Sequence, residues 1–399
     1  MFESTIKFIL DGWEDTVRFQ QQDEGDLIGL PYPYTVPSKD EDFQEMYYWD
    51  TYFTNRGLLL SDRVELAKNN CDNLLFMLKR YGFVPNGSRT YFLVGSQPPY
   101  LSLMVYDVYL KIKDKTWLKE CYETLLTEYD FWQTKRMTKT GLNRYYTMAT
   151  DEMCEDFLDY AESRTQRKIS GDRVYVGQSY RAEGESGWDF TPRFNERCAE
   201  YNSVDLNCNL YAYEKLFAYY ENELGIHTRD WMKIAAERKA LMDKYLFDEK
   251  HGIYNDYNFV TEKRNEKVSC ASFHPYFVKL ADDCSGVDYL CEKLETEYGL
   301  TVTEKQNDNY QWAYPNGWAP LHFVAVWGLK EYNQHDKALR IARKYCETVD
   351  RCFMETSHLF EKYNMRDGNA ETVNEYGLPY MMGWSAGVFL ALADYIAHR

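Results

Sequence analysis

The hydrophobic residues of this chain recur at helical spacing along most of its length, and this pattern constrains the fold more than any other feature. In the first segment, over 3–20, Ile6, Ile9 and Trp13 follow one helical face. The same spacing predicts further helices over 47–60, 62–81, 98–113, 116–136, 203–224, 228–246, 271–281, 287–295, 318–330, 336–353 and 379–397. Alternation typical of strands is weak, and only a short ribbon over 248–258 is predicted. The sequence therefore predicts an all-α fold.

The residues between these segments bear on the domain organisation. No linker rich in glycine, serine or charged residues separates them, so we predict a single domain over 1–399. The helices come in pairs, and paired helices around a hollow centre are one economical arrangement, although the pattern alone does not fix the topology. The stretch 137–201 is the exception, because it is mostly irregular in pattern and long for a loop. Structureless stretches of this length inside compact domains are usually functional or disordered.

The charge of the chain excludes several classes of partner. Its 63 acidic and 46 basic residues give a net charge of −17, which would repel nucleic acid and anionic membrane surfaces. No uninterrupted apolar run approaches the length of a membrane span. We therefore predict no nucleic-acid or membrane partner, whereas a small neutral carbohydrate is compatible with this charge. The sequence does not distinguish a monomer from a homodimer.

The cysteines bear on the compartment and on metal binding. The ten cysteines are scattered, without a C-x-x-C pair or a zinc-binding spacing. In a chain of this size they are most simply the reduced thiols of a cytosolic enzyme. Residues 1–19 combine a short apolar run with acidic residues and lack the basic start of a signal peptide. We therefore predict a cytoplasmic protein that needs no metal ion or other cofactor.

The stretch 184–194, which reads GESGWDFTPRF, is the first candidate for catalysis. Asp189 lies between Trp188 and Phe190, and the nearby glycines and proline argue against a regular helix. Aromatic rings stack on a sugar and exclude water, which raises the pKa of a carboxyl group so that it can act as an acid. We therefore predict that Asp189 donates a proton to a glycosidic oxygen, with Trp188 against the sugar. The alternative is a loop aspartate that caps a turn.

Carboxylates of the C-terminal stretch 358–383 are candidates for the second catalytic group. Inverting hydrolysis needs a base roughly 6.5–9.5 Å from the acid, so that a water molecule fits between the base and the sugar. The candidates are Glu361, Asp367, Glu371 and Glu375. The residues alone leave the choice among them open, and for each the alternative is a solvated loop charge.

Two further aromatic clusters are candidates for binding a sugar. The aromatic content of 17% exceeds what a core usually needs, so further rings are expected in a cleft. In the stretch 47–50, Asp50 can hold sugar hydroxyls while the ring of Trp49 stacks on the sugar. The stretch 311–318 carries two tryptophans and a tyrosine around a turn. The alternatives are a helix start with aromatic core residues and a buried turn anchored by aromatic rings.

These motifs together resemble a known enzyme family. YYWDTYF, NGSRTYFLVGSQPP, ESGWDF, QWAYPNGWAP, EKYN, NEY and GWSAGV occur in the order typical of trehalases, glycoside hydrolase family 37, over residues 36–388. Several of the motifs are long and rich in tryptophan, which makes coincidence an inadequate explanation. The resemblance implies an (α/α)6 toroid with a central pocket, and inversion at the anomeric carbon.

The resemblance also implies roles for individual residues. Asp189 corresponds to the general acid, Glu361 to the base, and Glu375 to a sugar-binding carboxylate. Arg181 matches an arginine at the start of the segment that contains the acid. The other positions that match residues lining the family's pocket are Trp49, Asp50, Asn86, Gln97, Trp312 and Trp318.

The chain departs from the family pattern at positions that recognise the sugar. The stretch 38–43, SKDEDF, is two residues longer than the family's GGRF and lacks its arginine. Gly95 stands where the family has an arginine before SQPP, and Ala313 stands where it has an aspartate. An arginine offers a rigid fork of hydrogen-bond donors, so we expect an opened or reshaped pocket. The motif DFTPRF, with Pro192, is also similar to the corresponding motif of glycoside hydrolase family 63. Members of that family cleave other α-glucosides and glycosylglycerates.

We therefore predict an inverting α-glycoside hydrolase that acts on a small α-linked glucoside, with trehalose as the best single substrate. The first alternative is an α-glucosidase of different linkage or aglycone, such as glucosylglycerate, kojibiose or another α-oligosaccharide. The second is a sugar-binding protein without catalysis, and the third is a phosphorylase.

Overall fold

Helices dominate the computed structural model, which describes residues 1–40, 42–306 and 309–399. Within these residues, the helices are α1 Glu3–Gly12, α2 Tyr48–Leu60, α3 Val64–Tyr81, α4 Leu101–Ile112, α5 Lys115–Lys135, α6 Asp151–Thr165, α7 Arg173–Ser186, α8 Val204–Leu224, α9 Trp231–Tyr245, α10 His274–Phe277, α11 Val287–Leu294, α12 Ala319–Glu331, α13 His335–Thr356 and α14 Gly383–Ala397. The all-α prediction is confirmed.

Six of the helices form a closed ring. In the order α2, α4, α8, α10, α12 and α14, each helix packs against the next, and α14 packs back against α2. A second set packs onto this ring: α3 on α2 and α4, α5 on α4 and α8, α9 on α8, and α13 on α12 and α14. The (α/α)6 toroid implied by the family resemblance is therefore confirmed.

Burial distinguishes the ring helices from the outer ones. Eleven of the 13 residues of α2 and 13 of the 15 residues of α14 are buried, as expected for helices surrounded by protein on all sides. The two helices approach closely at glycines, because a Cβ added to Gly57 would lie 2.6 Å from the Cα of Gly387. A larger residue at either position would push the two helices apart.

Short strand pairs connect the loops between helices. They are β1 Val17–Arg18 with β2 Tyr34–Thr35, β3 Tyr201–Asn202 with β6 Tyr257–Asn258, β6 with β7 Lys263–Arg264, β4 Phe247–Asp248 with β5 Ile253–Tyr254, and β8 Asn316–Trp318 with β9 Lys362–Asn364. The ribbon predicted over 248–258 is confirmed as the β4–β5 hairpin, with β6 paired to β3. The β8–β9 pair places Trp318 opposite Lys362, which joins the two C-terminal motifs.

Several predicted helix bounds are corrected by the structure. The helix predicted over 3–20 ends at Gly12, because a 3-10 turn and β1 follow it. The segment predicted over 271–281 contains a 3-10 turn and the four-residue α10. By contrast, α3 ends where predicted, since Gly82 adopts a left-handed conformation with φ of 79°.

The largest correction concerns the stretch 137–201, which was predicted to be mostly irregular. It contains the helical pair α6–α7. Helix α7 continues through Gly184 and ends at Ser186, because Gly187 adopts a left-handed conformation with φ of 74°. The two helices have their own small core, which includes Leu158 and Tyr180. The glycine content was misleading because Gly177 allows α7 to lie directly against the backbone of α6 at Cys154.

The remaining structural expectations concern domains and membranes. Among the described residues, no helix is both long and apolar enough to cross a membrane. The assignment of residues 1–399 to one domain stays a prediction.

Candidate active site

A cavity of about 730 Å³ opens where the N-terminal ends of α2, α12 and α14 meet the C-terminal end of α7. Both predicted catalytic carboxyl groups, Asp189 and Glu361, line it. The other predicted site residues that line it are Trp49, Asp50, Asn86, Gln97, Arg181, Trp312 and Trp318. The structure therefore brings together residues from both ends of the chain.

Stacked tryptophans form one wall of this cavity. The rings of Trp312 and Trp318 are 3.8 Å apart and nearly parallel, and Trp49 lies 5.8 Å from Trp312. Trp384, at the start of α14, contacts this group edge-on. The indole surface that these rings leave towards the cavity is apolar and suits contact with a sugar ring.

The structure corrects the position expected for Trp188. Its ring stacks 5.6 Å behind Trp312, has no solvent-exposed surface and does not line the cavity. The guanidinium of Arg193 lies 4.5 Å from the centre of the Trp188 ring. Trp188 therefore supports the wall from behind, and direct contact with a sugar is not the arrangement found.

Asp189 follows the end of α7 and faces the cavity. Its side chain is 35% exposed. The carboxylate Oδ2 accepts a hydrogen bond of 3.0 Å from Nη1 of Arg164, and its backbone oxygen accepts one from Gln311. Burial among protein atoms raises the pKa of this carboxyl group, whereas the charge of Arg164 lowers it. The balance is a raised pKa, as a proton donor requires.

Glu361 lies in the loop after α13 and is held by two donors. Nζ of Lys362 donates to Oε2 at 2.7 Å, and the hydroxyl of Tyr376 donates to Oε1 at 2.7 Å. The side chain is 4% exposed. The Nε1 of Trp384 also donates to the backbone oxygen of Glu361. These contacts fix the orientation of a carboxylate that still faces the cavity.

A third carboxyl group shares the cavity with this pair. Asp50 lies in the first turn of α2 and is 7% exposed. Burial raises its pKa well above the usual value, and the charges of Glu361 and Asp189 raise it further. Three carboxyl groups in one cavity cannot all be ionised at low cost, so Asp50 is suited to carry a proton and donate a hydrogen bond.

The polar residues predicted from the SQPP region hold the loops of the cavity. Oε1 of Gln97 accepts a hydrogen bond from the backbone N–H of Trp49, and Asn86 donates to the carbonyl of Gly184. Buried Glu185 accepts from the backbone N–H of Ser96. The SQPP loop is thereby tied to both α2 and α7.

Arg181, in α7, also lines the cavity. Its Nε and Nη2 donate to the backbone oxygen of Met153, and its guanidinium lies 4.4 Å from the ring centre of Phe157. Burial lowers the pKa of Arg181. Among the described residues it forms no ion pair.

The structure also corrects the position expected for Glu375. Its side chain is 1% exposed and does not line the cavity. Oε2 lies 3.2 Å from Nε of Arg164, and Oε1 accepts from the backbone N–H of Gln311. Burial raises the pKa of Glu375 to about 7. Glu375 thus contacts Arg164, the same arginine that contacts Asp189.

Comparison with known proteins identifies the family of this chain. The model of the family described as Trehalase matches residues 8–397. The chain belongs to the trehalase family. It is 32% identical to the periplasmic trehalase of Xanthomonas axonopodis pv. citri (strain 306), over 96% of this chain and 72% of that protein. The neutral trehalase Nth1 from Saccharomyces cerevisiae superposes with a TM-score of 0.80 at 25% identity, over 98% of this chain and 80% of that one.

The resemblance to glycoside hydrolase family 63 extends to the fold. The family 63 mannosylglycerate hydrolase from Thermus thermophilus, in complex with glucose, superposes with a TM-score of 0.67 at 14% identity over the whole of both chains. At this identity the likeness concerns the fold alone. The trehalase family and this structure thus confirm the expected glycoside hydrolase architecture.

The departures of this trehalase-family chain have different structural consequences. Gly95 lies on the cavity lining, so the missing side chain leaves space there. Ala313 is buried in the small core beside Phe190 and does not line the cavity. In the stretch 38–43, Glu41 lies outside the described residues. The expected opening of the pocket therefore applies at Gly95 and not at Ala313.

Sequence reasoning missed one wall of the cavity of this trehalase-family chain. Phe157, Tyr160 and Arg164 of α6 line it, and their spacing of three and four residues places them on one helical face. Tyr376, which contacts both Glu361 and Arg164, was missed as well. The spacing was readable in the sequence, but the stretch was interpreted as irregular.

Proposed function

We propose that this trehalase-family protein hydrolyses trehalose with inversion at the anomeric carbon. The observation that carries the proposal is that Asp189 and Glu361 line one cavity beside stacked tryptophans. The match of the family model over residues 8–397 and the 32% identity to a protein named as a trehalase support the choice of substrate.

In the proposed reaction, each carboxyl group moves one proton. Asp189 gives its proton to the glycosidic oxygen as the bond from that oxygen to the anomeric carbon breaks. Glu361 takes a proton from a water molecule that attacks the same carbon from the opposite face. The raised pKa of Asp189 supports its role as acid, and the hydrogen bonds from Lys362 and Tyr376 support an oriented base.

The proposed sugar contacts follow from the chemistry of the lining. We assign the parts of Trp49, Trp312 and Trp318 that line the cavity to apolar contact with glucose rings. The polar groups proposed to bind hydroxyls are those of Asp50, Asn86, Gln97 and Arg181. Trp188 and Glu375 act from behind this lining, through Trp312 and Arg164 respectively.

Purified protein incubated with a panel of glucosides tests the substrate. The panel contains trehalose, kojibiose, nigerose, maltose, sucrose and glucosylglycerate, and released glucose is measured. We expect the highest kcat/KM with trehalose. Proton NMR during the first minutes should show one β-glucose and one α-glucose per trehalose, because inversion changes only the attacked carbon. Tight binding of trehalose without turnover would favour a sugar-binding protein instead.

A second candidate is an α-glucoside with a different leaving group. The absence of a side chain at Gly95 on the cavity lining supports it, since this position carries an arginine in the family pattern. The same panel separates the two candidates, because a preference for glucosylglycerate or kojibiose over trehalose would select the second.

We propose that the protein works in the cytoplasm. All ten cysteines are free thiols, and nine of them are buried, which is typical of a reducing compartment. Fractionation of the native cells, with the protein detected by antibody, tests this assignment. Recovery in the periplasm, the compartment named for the Xanthomonas relative, would overturn it.

A further inference from the structure

We propose that Arg164 is the positioning residue of the catalytic acid: it bridges Asp189 and Glu375 and sets the alkaline limit of activity. The proposal rests on the proposed function, in which Asp189 must be protonated before each turnover. Arg164 belongs to α6 and lies outside every motif that carries the family resemblance.

The contacts of Arg164 fix both the side chain and the backbone of Asp189. Nη1 donates to Oδ2 at 3.0 Å, and Nη2 donates to the backbone oxygen at 2.6 Å. Nε lies 3.2 Å from Oε2 of Glu375. The planar guanidinium therefore connects two carboxyl groups from different loops to the last turn of α6.

Aromatic rings hold the guanidinium in this orientation. It lies 4.8 Å from the ring centre of Phe190 and 4.9 Å from that of Tyr376. The side chain of Arg164 is only 10% exposed. A cation held between rings at a fixed position keeps one carboxylate oxygen of Asp189 engaged, while the arginine's hydrogen bond to the carboxylate goes to Oδ2 and not to Oδ1.

Asp189 experiences opposing charges from several elements. The groups that face it are Arg164 of α6, Asp50 of α2, Glu183 of α7, and Glu361, Glu375 and Tyr376 of the C-terminal loop. Arg164 is the cation among them that contacts the carboxyl group directly. The carboxylates favour the protonated form of Asp189, and Arg164 favours the ionised form.

This arrangement suits a group that must lose a proton and regain it. When Asp189 protonates the departing sugar oxygen, the carboxylate left behind is stabilised by Arg164. The proton that Glu361 took from water then returns to Asp189 through solvent, which restores both groups. Glu375 also pairs with Arg164, and its negative charge weakens the stabilisation that Arg164 gives to the Asp189 carboxylate. Asp189 can therefore take up a proton again.

The pH profile of kcat/KM for variants tests the proposal. Arg164→Gln removes the cation, so the alkaline limb should move up by about one pH unit or more. Glu375→Gln removes a negative charge beside Arg164, so the limb should move down. Arg164→Lys should lie between wild type and Arg164→Gln. Shifts in opposite directions cannot arise from general loss of structure, and limbs that stay fixed in both variants would overturn the proposal.

Arg181→Gln is the matched control. This arginine lines the same cavity but contacts a backbone oxygen. Its loss should raise KM and leave the alkaline limb in place. A limb that moved as far as in Arg164→Gln would count against a specific role of Arg164.

A titration without substrate separates this proposal from the proposed function. Carboxyl signals of 13C-labelled aspartate are followed by NMR, and Asp189 is assigned by the signal lost in Asp189→Asn. The pKa read from this signal should rise in Arg164→Gln and fall in Glu375→Gln. If no disaccharide is hydrolysed but these shifts occur, the trehalose assignment fails, whereas the control of the proton affinity of Asp189 by Arg164 stands. An unchanged titration refutes the role of Arg164 even if trehalose is hydrolysed.

Discussion

At the scale of single residues, the two cavity carboxyl groups differ in what touches them. Asp189 contacts one guanidinium and is partly exposed, whereas Glu361 is almost fully enclosed by Lys362 and Tyr376. The first environment allows a proton to be held and released, and the second fixes the orientation of a carboxyl group. The assignment of acid and base therefore makes separate predictions for the two residues.

Replacing the proposed acid tests the first of these. Asp189→Asn removes the proton donor with little change in shape, so we expect kcat on trehalose to fall by about 10²- to 10⁴-fold. Thermal unfolding should be close to that of the wild type, since the side chain faces the cavity. Near-normal turnover would reject the assignment.

Replacing the proposed base tests the second. Glu361→Gln cannot accept the proton of the attacking water, so turnover should fall by a similar factor of about 10²–10⁴. Azide needs no deprotonation, and with the α-fluoride of glucose as donor it should give the β-azide in this variant. The control is Glu375→Gln, for which azide should have no such effect. Azide rescue of Glu375→Gln alone would make Glu375 the base.

At the scale of elements, a buried carboxyl group connects three helices. Glu128 of α5 accepts hydrogen bonds from the hydroxyls of Tyr48 in α2 and Tyr213 in α8. Its side chain is completely buried, and burial raises its pKa from 4.5 to about 7. The contact between the outer helix α5 and the ring thus contains a carboxyl group that gains or loses its proton near neutral pH in the native state.

This group makes the stability of the fold depend on pH. The native state binds the proton of Glu128 more tightly than the unfolded state, so the stabilisation is present below the unfolded pKa and is lost as pH rises through about 7. We expect the free energy of unfolding to fall by about 2–3 kcal/mol between pH 5 and pH 8, relative to Glu128→Gln. Urea unfolding at both pH values measures it. The control is Glu249→Gln, at an exposed site, whose free energy of unfolding should depend on pH as that of the wild type does. If Glu128→Gln showed the same pH dependence as the wild type, Glu128 would not be the responsible group.

At the scale of the whole molecule, ring closure depends on the last helix. Thirteen of the 15 residues of α14 are buried, and the helix packs against α2, α12 and α13. It also supplies Trp384 to the cavity and to the backbone of Glu361. The first and last ring helices are therefore adjacent in space although about 320 residues separate them in sequence, and long-range closure of this kind is entropically costly until it is complete.

Removing α14 tests this dependence. A chain that lacks residues 383–399 should be insoluble or lack cooperative thermal unfolding, because the apolar faces of α2 and α12 would be exposed to water. A chain that lacks only the exposed residues 398–399 is the control and should unfold as the full chain does. Cooperative unfolding and retained turnover after loss of 383–399 would show that the ring closes without α14.

Much of this organisation could be predicted from local sequence. Helices such as α3 and α8 were found because apolar residues follow one face and a glycine ends each of them. Asp189 and Glu361 were found because short motifs surround them. The α6 helix was missed because its cavity face carries Phe157, Tyr160 and Arg164, and only a few apolar residues face its small core. A helix that uses one face for a site has a weak hydrophobic period.

The sequence by itself determined the all-α fold, the family and the choice of Asp189 and Glu361 as the candidate catalytic pair. It could do so because periodicity and motifs are properties of neighbouring residues. Only the tertiary structure decided which side of the cavity wall each residue occupies. Trp188 and Glu375 lie behind the wall, since Trp312 and Arg164 stand between them and the cavity. Which residue lines the cavity and which lies behind it depends on how distant segments pack together, and no local pattern in the sequence predicts this.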